Sequence, residues 1–472
     1  MESISPVIDK NAKTPIYQQI YEWIRLQILS DQLRGGEKLP SLRKLSIDLN
    51  ISKNTIVTAY EQLVAEGYVE SVPKIGYRVV QLHSLLYEQK KQIHFQKVTE
   101  DQREYRYNLT GKGIDPNVFQ KELWKKVTNI VLREEFEQLT CYGDPQGEIE
   151  LREEIVKYIF GSRGIICQPQ EIIIGAGTQS CLNLLCQMLL IKDPVVAYET
   201  PGTKWLRFMF ERFGFEVNDL QILKTGYDTQ SLAESQSDVI FVTPSHQFMK
   251  GKTIPAQNRV ALLNWAYQKD GLIIEDDYDS EVRYLMDTIP PLKSMDKNDR
   301  VVYIGSLSKI FMPSLRIAFM ILPQPLLQLY HEKFDLYEQT SSTIHQKALA
   351  RFMKEGYFDS HIRRLKKQYR LKSETIFHAI LKYMDGKAEV IFSKGGVSLL
   401  LAVNSDHTEE ELVEMAKAGG IKMKTLTEVY ARHMDYHQKG RPKVYLTFKM
   451  LPLEQIDEVI ALLAKVWFEE KK

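Results

Sequence analysis

Lys309 stands in Gly305-Ser306-Leu307-Ser308-Lys309, directly after the apolar run 301–304. Ligands of α/β sheets bind at strand ends of this kind. Burial there lowers an ammonium's pKa and leaves a free amine able to condense with an aldehyde. A solvated loop lysine is the competing reading of so short a motif. Asp276 ends another strand-like run, Leu272-Ile273-Ile274-Glu275. A carboxylate buried at a strand end is costly without a partner. A protonated pyridine nitrogen, as in pyridoxal 5'-phosphate (PLP), is one such partner, and Tyr278 would offer its hydroxyl to the phenolic oxygen of the same ring. The plain alternative makes the acidic run 275–281 a solvated strand exit.

A phosphate would need donors. Gly175-Ala176-Gly177-Thr178 follows a strand-like run and opens a helix-like one, which aims free N–H groups and a positive dipole end at an anion. The spacing is not that of a dinucleotide fingerprint. Ser306 and Arg316 would add a hydroxyl and a charged fork. An ordinary glycine-rich turn and a salt-bridged arginine are the alternative. His246, in TPSHQF, reads either as a site neighbour or as a polar residue satisfied at a strand end. Cys181 and Cys186 fall on an apolar helical stretch and read as packed thiols.

These residues need a scaffold to hold them. From about residue 107 onward, short apolar runs (EIIIGAG, VVAYE, DVIFVTP, LIIEDD, VVYIGSLSK, RIAFMILP) alternate with helical stretches such as 178–191 and 257–270. That alternation predicts an α/β domain on a mainly parallel sheet. Residues from about 345 to 472 mix long charged helices (361–384, 452–469) with a few strands and predict a smaller α+β lobe. Ahead of this domain, residues 81–106 carry no Gly or Pro and read as a polar linker.

Residues 14–80 read as a separate unit. Ile16, Ile20, Ile24 and Ile28 recur as one helix face. Ser41 would cap a second helix and Ser52 a third, with Gly67 as its stop. YVESVPKIGYRVV then reads as two strands about a turn. Three helices and a hairpin are the layout of a winged helix-turn-helix. Ser41, Arg43, Lys53, Asn54, Thr55, Tyr60 and the wing's Tyr77 are the expected DNA-facing residues, the start of the third helix reading base edges. A protein-binding winged helix is the alternative. Residues 1–80 hold 10 Lys+Arg against 9 Asp+Glu, so bulk charge does not decide between them.

The whole chain of 472 residues carries 62 Lys+Arg and 61 Asp+Glu, a formal charge of +1, with 44% hydrophobic residues. This excludes wholesale disorder and a fibrous protein. Four cysteines without CxxC spacing make neither a disulfide framework nor a zinc site, and no metal is expected. No secretory leader and no membrane-length apolar run is seen, so a cytoplasmic protein with no membrane partner is expected.

PSLRKLSIDLNISKNTIVTAYEQLVAEGYVE resembles the winged helix-turn-helix of GntR-type bacterial transcription regulators. YGDPQGEIELREEIVKYIFGSRGI, TPSHQF, EDDYDSEVRY and SLSKIFMPSLRIAFMILP resemble the fold-type I aminotransferase domain. In this order the two are similar to the MocR/GabR subfamily of GntR regulators. The resemblance implies a DNA reader (1–80), a linker (81–106) and a PLP-binding, aminotransferase-like effector domain (107–472), assembled as a homodimer. It implies that Lys309 forms the internal aldimine, that Asp276 pairs with the ring nitrogen, and that Tyr278 and Gln247 face the phenolic oxygen. Ser306, Arg316, Gly177 and Thr178 would bind the phosphate, and Tyr142 would reach the partner subunit's phosphate. Three places depart from the family pattern, one being TPSHQFMKG where TPSHQFPTG is usual. Thr203 stands where an aromatic residue is usual, with Trp205 nearby. Tyr445 stands where an arginine usually forks a substrate carboxylate, with Arg441 as the possible substitute. A PLP-dependent regulator that senses an amine, an amino compound or PLP itself is therefore expected. An active aminotransferase that also binds DNA is the alternative.

Overall fold

The computed structural model describes residues 8–9, 12, 14–81, 105–111, 113–192, 194–223, 226–234, 236–245, 254–278, 289–307, 310–392, 398–429 and 441–469. Lys309, His246, Gln247 and most of the expected linker (82–104) lie outside the described residues. The chain divides into two compact units, Met1–Gln102 and Arg103–Lys472.

In the first unit, helix α1 (Ile16–Leu29) buries Ile20, Ile24 and Ile28, the expected stripe. Helix α2 (Leu42–Leu49) starts at Ser41, whose hydroxyl accepts from the Lys44 N–H at 3.2 Å. Helix α3 (Lys53–Ala65) starts at Ser52, which accepts from the Thr55 N–H at 3.2 Å. Asn50, at φ 53°, makes the left-handed turn between them, a conformation that asparagine tolerates better than most residues. Strands β1 (Val69–Val72) and β2 (Gly76–Val79) form the antiparallel wing.

The second unit opens with β3 (Tyr107–Asn108), then helices α4 (Lys121–Glu134), α5 (Phe136–Leu139) and α6 (Ile149–Arg163). Its main sheet is built from β4 (Ile172–Gly175), β5 (Val196–Thr200), β6 (Val217–Leu223), β7 (Gly226–Tyr227), β8 (Val239–Val242), β9 (Leu272–Asp277), β10 (Val301–Ser306) and β11 (Ala318–Ile321). Their spatial order is β4-β11-β10-β9-β8-β5-β6-β7. Pairing is parallel from β10 through β6; β11 runs antiparallel to both of its neighbours, and β7 is antiparallel to β6. The inner strands are apolar on both faces because each face is covered. Ile172, Ile174, Tyr303 and Phe319 belong to one core, and Ile173, Val302, Ile304 and Met320 to another. Helix α7 (Thr178–Leu189) belongs to the second of these cores through Cys181, Leu182, Leu185 and Cys186. Burial pushes both of its thiols up to about 12, which suits packing rather than reactivity.

The smaller lobe has an antiparallel sheet of β12 (Ala388–Phe392), β13 (Ser398–Val403) and β15 (Lys443–Thr447), while β14 (Ile421–Lys422) pairs with β3. The sequence predicts a lobe from about residue 345; the cores divide further along the chain. Helix Tyr357–Met384 puts Phe358, Ile362, Leu365 and Tyr369 in the large core and Ile376, Ala379, Ile380 and Met384 in the small one. Tyr107 and Leu109, from the start of the unit, also belong to the small core. No helix among the described residues is long and apolar enough to cross a membrane.

Candidate functional site

Four strands deliver an end to one edge of the main sheet. Ser306 lies opposite Ala318, and Ala318 opposite Gly175, in one transverse row; Asp276 lies opposite Ile304, near the same edge. The acidic run is not a solvated exit, since Glu275, Asp276 and Asp277 are all buried. Strand alternation sends them to opposite faces. Glu275 accepts the N–H groups of Leu292 and Lys293 at 2.8 and 2.9 Å, and burial pushes its carboxyl up to about 7. Asp277 accepts from Tyr303 Oη at 2.8 Å and pairs with Arg163 at 2.7 Å. Asp276 faces the side of α7, close enough for its charge to be felt by Cys181 and Tyr198. Tyr278 follows the strand and is half-buried.

Gly177 caps α7 at φ 90°, in the region that glycine adopts without a Cβ penalty. A Cβ there would run into the Arg316 guanidinium. The glycine thus leaves room for a cation at the mouth of the helix, where the first N–H groups have no intrahelical acceptor. Arg316 itself sits at φ 54° and donates from Nη2 to the Ala176 carbonyl at 3.3 Å. A non-glycine residue in that region is strained by roughly 1–2 kcal/mol, which points to a demand on where its side chain goes. Thr178 opens the helix, half-buried, and Ser306 is half-buried at the end of β10. A helix N-terminus, a guanidinium and two hydroxyls, with a buried carboxylate on the same sheet edge, suit a phosphorylated heterocycle with a protonated ring nitrogen. The described residues therefore fit PLP.

The substrate side is different. Thr203 caps a helix, and its carbonyl accepts from Tyr198 Oη at 2.9 Å. Tyr198 is itself buried and stacked on Phe241, with ring centroids 5.5 Å apart. Trp205 is 43% exposed. Arg441, the possible carboxylate fork, is committed elsewhere, with Nε on Asn404 Oδ1 and Nη2 on Glu389 Oε2, each at 2.9 Å. Tyr142 is 89% exposed.

In the first unit, Ser41, Arg43, Lys53 and Asn54 are exposed and Thr55 is half-buried, its hydroxyl 2.8 Å from that of Ser52. One expectation is corrected. Tyr60 is fully buried, donates to the Pro40 carbonyl at 3.0 Å and meets the half-buried Tyr77 edge-on. It holds the helix-turn-helix to the wing instead of facing DNA. Sequence reasoning missed Arg163 and His361. His361 falls in the charged helical stretch 361–384, and Arg163 directly precedes Gly164. Only the packing of distant segments shows both buried.

The sequence matches two family descriptions, "Bacterial regulatory proteins, gntR family" over residues 16–79 and "Aminotransferase class I and II" over residues 107–459. It is 35% identical to the uncharacterized HTH-type transcriptional regulator YdeL of Bacillus subtilis (strain 168), over 91% of this chain and 93% of that protein. It is 27% identical to the probable rhizopine catabolism regulatory protein MocR of Rhizobium meliloti, over 90% and 89%. The chain belongs to the MocR/GabR subfamily of GntR regulators. Its larger unit has the fold of an archaeal alanine:glyoxylate aminotransferase, with a TM-score of 0.68, 24% identity, and coverage of 78% of this chain and 92% of that one. The aminotransferase class I and II family is PLP-dependent, and GntR regulators bind DNA. This MocR-type chain is thus a transcription regulator carrying an aminotransferase-like domain.

Proposed function

We propose that this regulator binds PLP through Lys309 and changes its DNA binding when an amine, an amino compound or PLP itself enters the site. The observation that carries the reading is that buried Asp276 and the Gly177–Arg316 cradle lie at the same end of the sheet. Bound there, PLP would supply an aldehyde that exchanges one amine for another. Asp276 would hold the ring nitrogen protonated, Tyr278 and Gln247 would face the phenolic oxygen, and the Gly177–Thr178 amides, Ser306 and Arg316 would hold the phosphate. Lys309 would give its amine to the aldehyde and take a proton when displaced. Arg441's engagement with Asn404 and Glu389 supports sensing over turnover of common α-amino acids, because a neutral Tyr445 hydroxyl does not replace a charged fork.

The exposure of Tyr142 suits a residue completed by a second copy, as in a homodimer. A bound amine moves the DNA-reading unit only as far as it prefers one dimer arrangement over another. The test is operator binding with and without a titrated amine, in wild type and Lys309→Ala. The reading expects an amine-dependent change in the wild type and none in the variant. Equal responses in both would contradict it. Multiple turnovers of an amino donor with a keto acid would favour an enzyme.

A further inference from the structure

His361 lies on helix Tyr357–Met384 with no exposed surface. Its Nε2 is 2.8 Å from the carbonyl oxygen of Ile310, the residue that follows Lys309 in the chain. A carbonyl only accepts, so Nε2 carries the proton and donates. Nδ1 has no hydrogen-bond partner among the described residues. The ring meets Phe119 and Phe311 edge-on, with centroids 5.7 and 5.3 Å away. Burial holds the imidazole below its ordinary value, and the charge of Arg364 adds to the effect. The side chain is therefore a neutral, single-tautomer donor clamped between aromatic rings.

The same helix is fixed three turns further on. Lys372 Nζ lies 2.6 Å from Asp115 Oδ2 and 3.1 Å from the Lys449 carbonyl, fully buried. Asp115 belongs to the segment that brings in Phe119, and Lys449 to the small lobe. The donor on Ile310 is thus mounted on an element tied to both lobes of the unit. An unpaired buried carbonyl would cost about as much as a lost hydrogen bond, so the clamp fixes the Ile310–Phe311 peptide, one residue past Lys309.

We propose that His361 is a positioning residue, pinning the Ile310–Phe311 peptide so that the Lys309 amine meets an aldehyde in the cradle. This rests on the PLP reading above. The proposal separates capture of the phosphate, which His361 does not touch, from reaction of the amine. Misplacement of a reacting group by about 1 Å is worth up to roughly a hundredfold in rate.

The test uses the full chain, freed of vitamer, as wild type, His361→Leu and His361→Gln. The rate at which the visible absorption band appears on adding PLP is read beside affinity for 4'-deoxypyridoxine 5'-phosphate, which lacks the aldehyde. The leucine variant is expected to slow the band at least tenfold while holding the analogue within twofold of wild type. Glutamine restores an N–H donor and is expected to return the rate to within threefold. If the leucine variant does not fold, His361→Asn, whose amide falls short of the carbonyl, takes its place with the same expectation. A wild-type rate in the donor-less variant overturns the proposal. So does a loss of analogue affinity in step with the rate.

A wild type that shows no band at all overturns the PLP reading instead. The pH dependence of Lys309 labelling by formaldehyde and cyanoborohydride then still tests His361. A midpoint that differs between wild type and the leucine variant upholds the positioning role, and identical midpoints overturn it.

Discussion

Arg163 and Asp277 meet at 2.7 Å with 2% and 1% of their side chains exposed. Arg163 comes from the last turn of α6 and also donates to Ser245 at 2.9 Å, just past β8. The pair ties the helix to the strand that presents Asp276 on its other face. Neighbouring carboxylates on one strand thus have separate tasks. Removing one partner of a buried pair costs about 3–5 kcal/mol, so Asp277→Ala is expected to lower the unfolding midpoint sharply. Asp276→Asn is expected to leave that midpoint close to wild type and to weaken PLP retention by about tenfold or more, the scale of a charge-assisted bond. Thermal unfolding of vitamer-free protein and PLP titration of both variants check the division.

The cradle makes a prediction specific to phosphate. Gly177→Ala would strain a residue at φ 90° and drive a methyl into the Arg316 guanidinium. Affinity for PLP is expected to fall at least tenfold, while affinity for pyridoxal, which has no phosphate, changes little. Parallel titrations with the two vitamers test it, and equal losses for both would show that the cradle is not the phosphate site.

In the DNA unit, Lys53 and Asn54 are exposed at the start of α3 and Tyr60 is not. Lys53→Ala is expected to weaken operator binding and, if Lys53 holds a phosphate, to reduce the slope of log affinity against log salt by about one. Arg43→Ala is likewise expected to weaken binding. Tyr60→Phe loses the bond to the Pro40 carbonyl and is expected to cost about 1 kcal/mol of stability with DNA affinity unchanged. Fluorescence anisotropy at several salt concentrations, beside urea unfolding, distinguishes them.

Glu275 gives a pH dependence with a definite sign. Its carboxyl titrates near 7 in the folded chain because it is buried beside Asp277. Between the ordinary carboxylate value and about 7 the folded state holds a proton that the unfolded chain has released. Stability should therefore fall as pH rises through that window, by on the order of 3 kcal/mol, and level off above it. Glu409, also raised to about 7 by burial, acts in the same direction. Glu275→Gln is expected to flatten the decline in part, and the double variant with Glu409→Gln to flatten it further. Urea unfolding at pH 5 and pH 8 checks both.

What the sequence discloses follows from the range of the forces involved. The Ile20–Ile24–Ile28 stripe and the caps at Ser41 and Ser52 are local rules, readable within one or two turns. The buried strands around Asp276 and Ser306 announce themselves as apolar runs, and the register then brings their ends together. Tyr60 is buried although its helical position suits DNA, because position on a helix gives a face but not a depth. The division between the two cores is not visible in the sequence because the helix they share, Tyr357–Met384, shows one continuous pattern. Arg163 and His361 were not legible because each is buried by segments far away in the chain. Arg441 reads as a carboxylate fork until Asn404 and Glu389 are seen to occupy it.

The most direct measurement is borohydride reduction of the PLP-loaded protein, followed by peptide mass mapping. The account predicts a single phosphopyridoxyl mass added to the peptide containing Lys309, and its loss in Lys309→Ala. No adduct at saturating PLP, or one that survives in the variant on another lysine, would contradict it.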